Sequence, residues 1–455
     1  MRKFLSFILV VAIIVAAFGA YLYFTTPRQG KGVSFPLTQD ERTLLAYVPS
    51  SADSFAIIPT AAATYAKLED NPTSRGPVDE WTSKHSMPRP WMLGGADLVA
   101  WKAGGQTSYA VRLDTIRAAI LQVYLMIAGD SESSPTYRIN APADPPMSAD
   151  DVSSIDGLTN GLPPGDILIV QREGGRAAFP PIARPAVSSL AISADHIDVV
   201  SVAAFEERDR NDRRGAPGYA NPGPGLIQPA PSTASSPADA APQGNEPSTE
   251  QAAAPLPDTE PKLVRGALMS LWFVAAPRAV DDLNRLFGTK VSPLVAGGGQ
   301  IVLYEIEGGK LLPRPRGLFV LPADDMRRDA VRHLESLAPT DVREALGFHV
   351  ESAERGNELF VAFDRTSIPQ YLKDESVPSA WPANRWALRM DAQRFVPVLE
   401  QLDGSVGLRI ATPRLYRSAR DLDRWIAALR EARLIEAADT VHGSTEELRV
   451  RISAK

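Results

Sequence analysis

Two stretches of the chain, GGADLVAWKAGG (Gly94–Gly105) and GGQIVLYEIEGG (Gly298–Gly309), share one pattern about two hundred residues apart. Each sets a Gly pair, eight residues rich in apolar side chains, and a second Gly pair at the same spacing. A run of that length between glycines reads as a β-strand closed by a tight turn, because Gly alone enters positive φ without steric cost. The residues after each run agree. TSYAVRL completes a hairpin after Gly104-Gly105, and TIRAAILQVYLMIAG continues as a helix with Ile116, Ile120 and Val123 on one apolar stripe. After the second run, RPRGLFVL completes a hairpin, and DDMRRDAVRHLESLA continues as a helix with Met326, Val331 and Leu334 among its apolar positions. Before the runs, SFAIIPT and AAATYAKLED in the first half and GALMSLWFVAA and AVDDLNRLFG in the second read as strand and helix, so the order strand, helix, hairpin, helix is written twice.

Working outward, each half continues into paired strands, VSSLAISADHIDVVSVAAF in the first and GFHVESAERGNELFVAFD in the second. Helices alternating with hairpins favour α+β layers on mainly antiparallel sheets over a parallel βαβ array. Between the halves, Pro, Ala, Ser and Gly dominate and large apolar side chains are almost missing. Such a stretch cannot bury enough surface to offset its ordering entropy. The expected organisation is a cytoplasmic tip (1–3), a transmembrane helix (4–24), a tether (25–40) and a first α+β domain (41–208). A disordered linker (209–262) and a second, related α+β domain (263–455) come next, with a subdivision near 380 left open. Internal duplication accounts for the likeness of the two domains.

The transmembrane expectation rests on Phe4–Phe24, 21 residues without a charge and with Ser6 as their one aliphatic hydroxyl. A helix of that length spans about 30 Å, the thickness of a hydrocarbon core. Tyr21 and Tyr23 suit an interface, and Pro27 suits a helix exit. A short basic tip before an apolar run exports the chain beyond it. The reading is thus a single-pass signal anchor in the lipid bilayer, N-terminus cytoplasmic, with the bulk periplasmic or extracellular. A cleaved signal peptide is its rival.

Totals exclude more than they assign. The chain has 455 residues, 44% of them hydrophobic, and a net charge of -6, which argues against a nucleic-acid partner. It has no Cys, so disulfides, thiol nucleophiles and Cys-ligated metals are ruled out. No HExxH, GxSxG or phosphate loop occurs among the sequence motifs. His349 and Glu351 share a strand face but would need a further ligand to hold a metal. Asp281-Asp282 and Asp324-Asp325 sit where carboxylates cap helix N-termini. Trp81, His85 and Trp91, with Pro88 and Pro90 between them, read as one non-periodic loop able to form the lip of a groove for a peptide or glycan; they can equally close the end of a sheet. The helix around Leu422, Trp425, Ile426 and Leu429 presents a core-facing stripe.

No catalytic residue, metal ligand or cofactor site emerges. The sequence leans away from an enzyme and toward a non-enzymatic binding or scaffolding module of the cell envelope, with an envelope protein or glycan as partner. An envelope hydrolase whose site is not readable from spacing is the alternative.

Overall fold

The computed structural model describes residues 26–27, 30–85, 90–128, 136–172, 186–204, 261–274, 294, 298–307, 314–336, 349–403, 426, 429–443 and 445–455. Both quoted stretches form strands; Gly308 and Gly309, the closing pair of the second, lie outside the described residues. β2 (Leu98–Ala103) turns at Gly104 and Gly105, both at positive φ, into β3 (Gln106–Val111). β10 (Gly299–Glu307) starts after Gly298, also at positive φ, and pairs antiparallel with β11 (Arg314–Pro322). Gly298 is enforced by space as well. A Cβ there would stand 2.5 Å from the carbonyl oxygen of Val274.

In the first half β1 (Ser54–Ile58) leads to the helices α2 (Ala61–Asp70), α3 (Pro72–His85) and α4 (Pro90–Leu93), and from there to the β2–β3 hairpin. α5 (Thr115–Ala128), β4 (Thr136–Ile139), α6 (Ala149–Thr159), β5 (Ile167–Gln171), β6 (Ala186–Ile192) and β7 (His196–Ala204) come after it, with α1 (Gln39–Leu45) ahead of them all. The second half runs β8 (Lys262–Val264), β9 (Met269–Phe273), β10, β11, α7 (Asp325–Ser336), β12 (Glu351–Arg355) and β13 (Glu358–Ala362). It ends with α8 (Ser367–Tyr371), β14 (Ser376–Pro378), β15 (Trp386–Asp391), α9 (Ala392–Asp403), β16 (Ala432–His442) and β17 (Thr445–Ala454). Residues 205–260, which hold most of the expected linker, lie outside the described residues.

The expectation of two separate α+β domains is overturned. One 15-stranded mixed sheet runs β12-β13-β11-β10-β9-β15-β16-β17-β7-β6-β5-β1-β2-β3-β4, and a small β14–β8 pair stands beside it. The seam is β7 against β17, antiparallel and continuous from Ala204↔Thr445 to His196↔Ser453. The physical reason lies in the final hairpin of each half. β6–β7 and β16–β17 each end on a long strand whose outer N–H and C=O groups need a partner, and each supplies the other's. Among the described residues only β3 and β4 pair in parallel. Outward from the seam, the order last hairpin, single strand, first strand, hairpin recurs on both sides: β7-β6-β5-β1-β2-β3 and β17-β16-β15-β9-β10-β11.

A second correction concerns the membrane. Among the described residues no helix is long and apolar enough to cross a bilayer. α3 and α5 have 14 residues each, about 21 Å of helix, well short of a 30 Å core. The architecture with an N-terminal transmembrane helix, the signal anchor and the single-pass placement are therefore withdrawn. Residues 4–24, on which they rested, lie outside the described residues.

Apolar cores line both faces of the sheet. One face of the first half packs Phe55, Ile57, Val99, Trp101 and Leu168 under Leu44, Leu45 and Ile155 of α1 and α6. The other face packs Leu98, Tyr109 and Val111 under Leu121 of α5. The second half repeats this with Val302, Leu318 and Phe360 under Ile368 of α8, and with Leu321, Leu359 and Val361 under Ala330 and Val331 of α7.

The helical stripes differ from the periodicity reading. Ile116 and Val123 are exposed, whereas Arg117 and Leu121 of the same helix are buried. Met326 is likewise exposed and Arg327 buried. Each buried arginine is held by the residue three positions before it. Arg117 donates from its backbone and its Nη1 to Asp114, both at 2.9 Å, and Arg327 does the same to Asp324. The carboxylate at the head of each helix caps it and neutralises the arginine, which makes the charge tolerable inside. Capping by Asp324 accords with the sequence reading; Asp281 and Asp282 lie outside the described residues.

Candidate functional site

The centre of the sheet carries charge where both flanks carry aliphatic side chains. Asp198 of β7, Arg451 of β17, Glu436 of β16 and Arg389 of β15 stand opposite one another in register. Directly opposed residues point to one face, so the four form a rung across four strands. Arg451 grips Asp198 with two parallel donors, Nε at 2.7 Å and Nη2 at 2.9 Å. Arg389 pairs with Glu436. Asp198, Val200 and Val202 share this face by strand alternation, and the two valines belong to the first-half core. On the far side the rung reaches Ser270 of β9, a buried hydroxyl that accepts from Val264 N–H and the Gln300 side-chain amide. The ladder thus fills the gap between the two apolar patches on one face.

Its surroundings are polar and partly open. The Arg451 guanidinium lies 5.5 Å from the centroid of the Trp381 ring, a cation–π distance. Hydrogen bonding to Asp198 holds it even more firmly charged than a free arginine. His196 sits at the strand end, its Nδ1 2.7 Å from Asp195 and its Nε2 3.6 Å from Asp198. The hydrogen bond to His196 lowers the Asp195 carboxyl. Arg449 pairs with Glu447 beside the ladder. Side chains of the rung keep between 17% and 38% of their exposure, enough to meet a ligand and too little to move freely.

On the opposite face β16 buries a second group. Asp439 is 3% exposed and faces Trp386 across the strands. Arg385 Nη1 reaches it at 3.2 Å and also pairs with Glu446. Burial pushes the Asp439 carboxyl up to about 6; Arg385 counters and Glu446 adds to the rise. Elsewhere a cleft of about 400 Å³ opens around Tyr304, Arg394 and Val398. Arg394 spends its donors on the carbonyls of Gly266 and Tyr304, and Glu305 in the lining pairs with Arg316, so the charges of that cleft are already engaged.

The sequence-expected lip is distributed over two helices. Trp81 and His85 fall in α3 and Trp91 in α4, with residues 86–89 outside the described residues. A loop is thus replaced by helix at all three positions. His349 Nε2 lies 3.9 Å from Glu351 Oε2 beside an exposed edge strand, and among the described residues no group of three metal-binding side chains occurs. Ile426 and Leu429 of the C-terminal stripe are buried; Leu422 and Trp425 lie outside the described residues. Sequence reasoning missed the ladder. Its signal is a charge at every second position of an apolar strand, as in LRVRIS and ALRMD, but the partner of Arg451 lies 253 residues away.

No protein-family model matches the chain, and neither a curated protein nor a solved structure does.

Proposed function

We propose that the protein is a non-enzymatic binding module whose recognition surface is the charged ladder on β15, β16, β17 and β7. The observation that carries this reading is the mutual saturation of the ladder: Arg451 is taken up by Asp198 and Arg389 by Glu436, in register on a rigid sheet. Paired charges of that kind neither attack nor shuttle protons. They present alternating donors and acceptors at fixed 4.7–4.9 Å strand spacings, with an aromatic ring beside them. A polar protein segment carrying complementary charges fits such a surface, because electrostatic complementarity fixes register and partner choice.

A photo-crosslinking residue at Arg449, next to the ladder, tests this in the cell of origin. The expected outcome is a discrete protein adduct, absent when the same probe replaces Arg355 on the edge strand β12. The fourfold swapped variant Asp198→Arg, Arg451→Asp, Glu436→Arg, Arg389→Glu keeps opposite charges in register along the whole rung and reverses the pattern offered to a partner, so it should fold and lose the adduct. An adduct that survives the swap sinks the proposal.

Hydrolysis by a carboxylate pair has one observation in its favour, the neighbouring Asp439 and Glu446 with Asp439 near pH 6. Arg385 bridges both carboxylates and weakens either as a base. Turnover with a pH profile breaking near 6 would decide for that reading.

A further inference from the structure

Helix α5 packs Leu121 into the core and also carries apolar residues on its outer side. Ile116, Val123 and Met126 are 44%, 50% and 74% exposed, and Ala119 is exposed with them. Positions 116, 119, 123 and 126 advance by three and four, so they form one stripe about 15 Å long on the solvent side. The fold does not require it. Aligning the two Asp-x-x-Arg helix starts places Asp329, Arg332, His333 and Ser336 of α7 where α5 has Ala119, Gln122, Val123 and Met126. Met326 answers Ile116 and is exposed as well, but the next three positions of the stripe on α7 are polar, with Asp329 paired to Arg332. Beyond that first position the outer side is polar on α7 and apolar on α5. An apolar helix face so placed marks a contact.

The chain supplies an occupant at the right place. Pro27 packs beside Gly95, where a Cβ would stand 3.3 Å from Pro27 Cγ. The adjoining Gly94 is roofed by Arg117, whose guanidinium fills the space a Cβ would take. Residues 30 and 31 run along the start of α2, on the α5 face of the sheet: Lys31 N–H donates to Thr60 Oγ1 at 3.4 Å, and Gly30 approaches Ala63. The N-terminal residues therefore leave the described fold at Gly95, one residue from Gly94, which the Arg117 side chain from the first turn of α5 covers. Phe4–Phe24 carries no charge over 21 residues. As a helix it would be about 31 Å long, against about 21 Å for α5.

We propose that residues 4–24 dock as a helix along the Ile116–Met126 stripe of α5 in the same chain. Docking removes two apolar surfaces from water at once, and the short connection through Pro27 keeps the ordering cost low.

The absence of cysteine makes the test clean. Val123→Cys is combined in turn with a single Cys at each position from Ile8 to Phe18 of the full chain, purified and mildly oxidised. The expected result is an intrachain disulfide whose yield rises and falls every three to four positions. In the Val123→Cys chain alone, maleimide labelling should accelerate several-fold when Ile14→Asp is added, since a charge in the segment would release it. No disulfide anywhere in the scan, together with labelling indifferent to Ile14→Asp, overturns the proposal. Disulfides between chains overturn it in favour of a second copy, and protection of Val123→Cys only in the presence of phosphatidylcholine vesicles overturns it in favour of lipid.

Discussion

Asp439 shows what one buried carboxyl costs. Its folded-state value near 6 lies above the ordinary carboxylate value of 3.8, so the folded protein binds this proton more tightly than the unfolded chain does. The contribution of the group is therefore best below about pH 4 and declines as pH rises through 6. The full penalty, of order 2–3 kcal/mol, is felt at neutral pH. Asp439→Asn keeps the shape and removes the titration. It is expected to flatten the fall in urea-unfolding stability between pH 4 and 7 and to leave the variant at least as stable as the parent at pH 7. A variant with the parent's pH slope would show that Asp439 ionises freely. Nothing in the sequence near Asp439 betrays this, since the carboxyl's burial depends on Trp386 and Arg385, some fifty residues away.

Helices α5 and α7 show how a charged residue becomes a core residue. Reading α5 by apolar periodicity puts Ile116 and Val123 inward, yet Arg117 and Leu121 occupy that side. The reading fails because Asp114 neutralises Arg117 and Gly94 leaves it room, and neither condition registers in a count of apolar spacings. Gly94, Gly104, Gly105 and Gly298 of the opening pattern, by contrast, could be read from the chain, since the positive φ each adopts is a local demand. Asp114→Ala and Asp324→Ala each remove a cap and the anion of a buried guanidinium. Each is expected to cost about 2–3 kcal/mol, the carboxylates' own exposure being discounted. Thr38→Ala in the capping box of α1 removes only a cap, at about 1 kcal/mol. Urea denaturation of the three variants side by side checks the order; equal losses would mean the arginines do not depend on their aspartates.

Over the whole molecule, hairpins and the recurrence of their order could be read from the chain, while the joining of the halves could not. Strand pairing between residues 250 apart leaves no local trace, so β7 and β17 each looked like the end of a domain. Their union has a measurable consequence. Chains covering 26–205 and 260–455, produced together, are expected to co-purify, because nine consecutive residue pairs and the Asp198–Arg451 ion pair cross the seam. Pro in place of Val199 and Val450 removes two backbone donors of the seam strands and should abolish co-purification. Halves that stay apart without the substitutions would mean the seam does not hold by itself.

The seam also sets a schedule for synthesis. β7 emerges from the ribosome some 240 residues before the strand that completes it, an interval on the order of ten to fifty seconds at ordinary elongation rates. Throughout that time its outer edge is bare, a template for any passing strand, including the β7 of a neighbouring nascent chain on the same message. Crowded translation is thus the condition under which this protein is most exposed to pairing with the wrong copy.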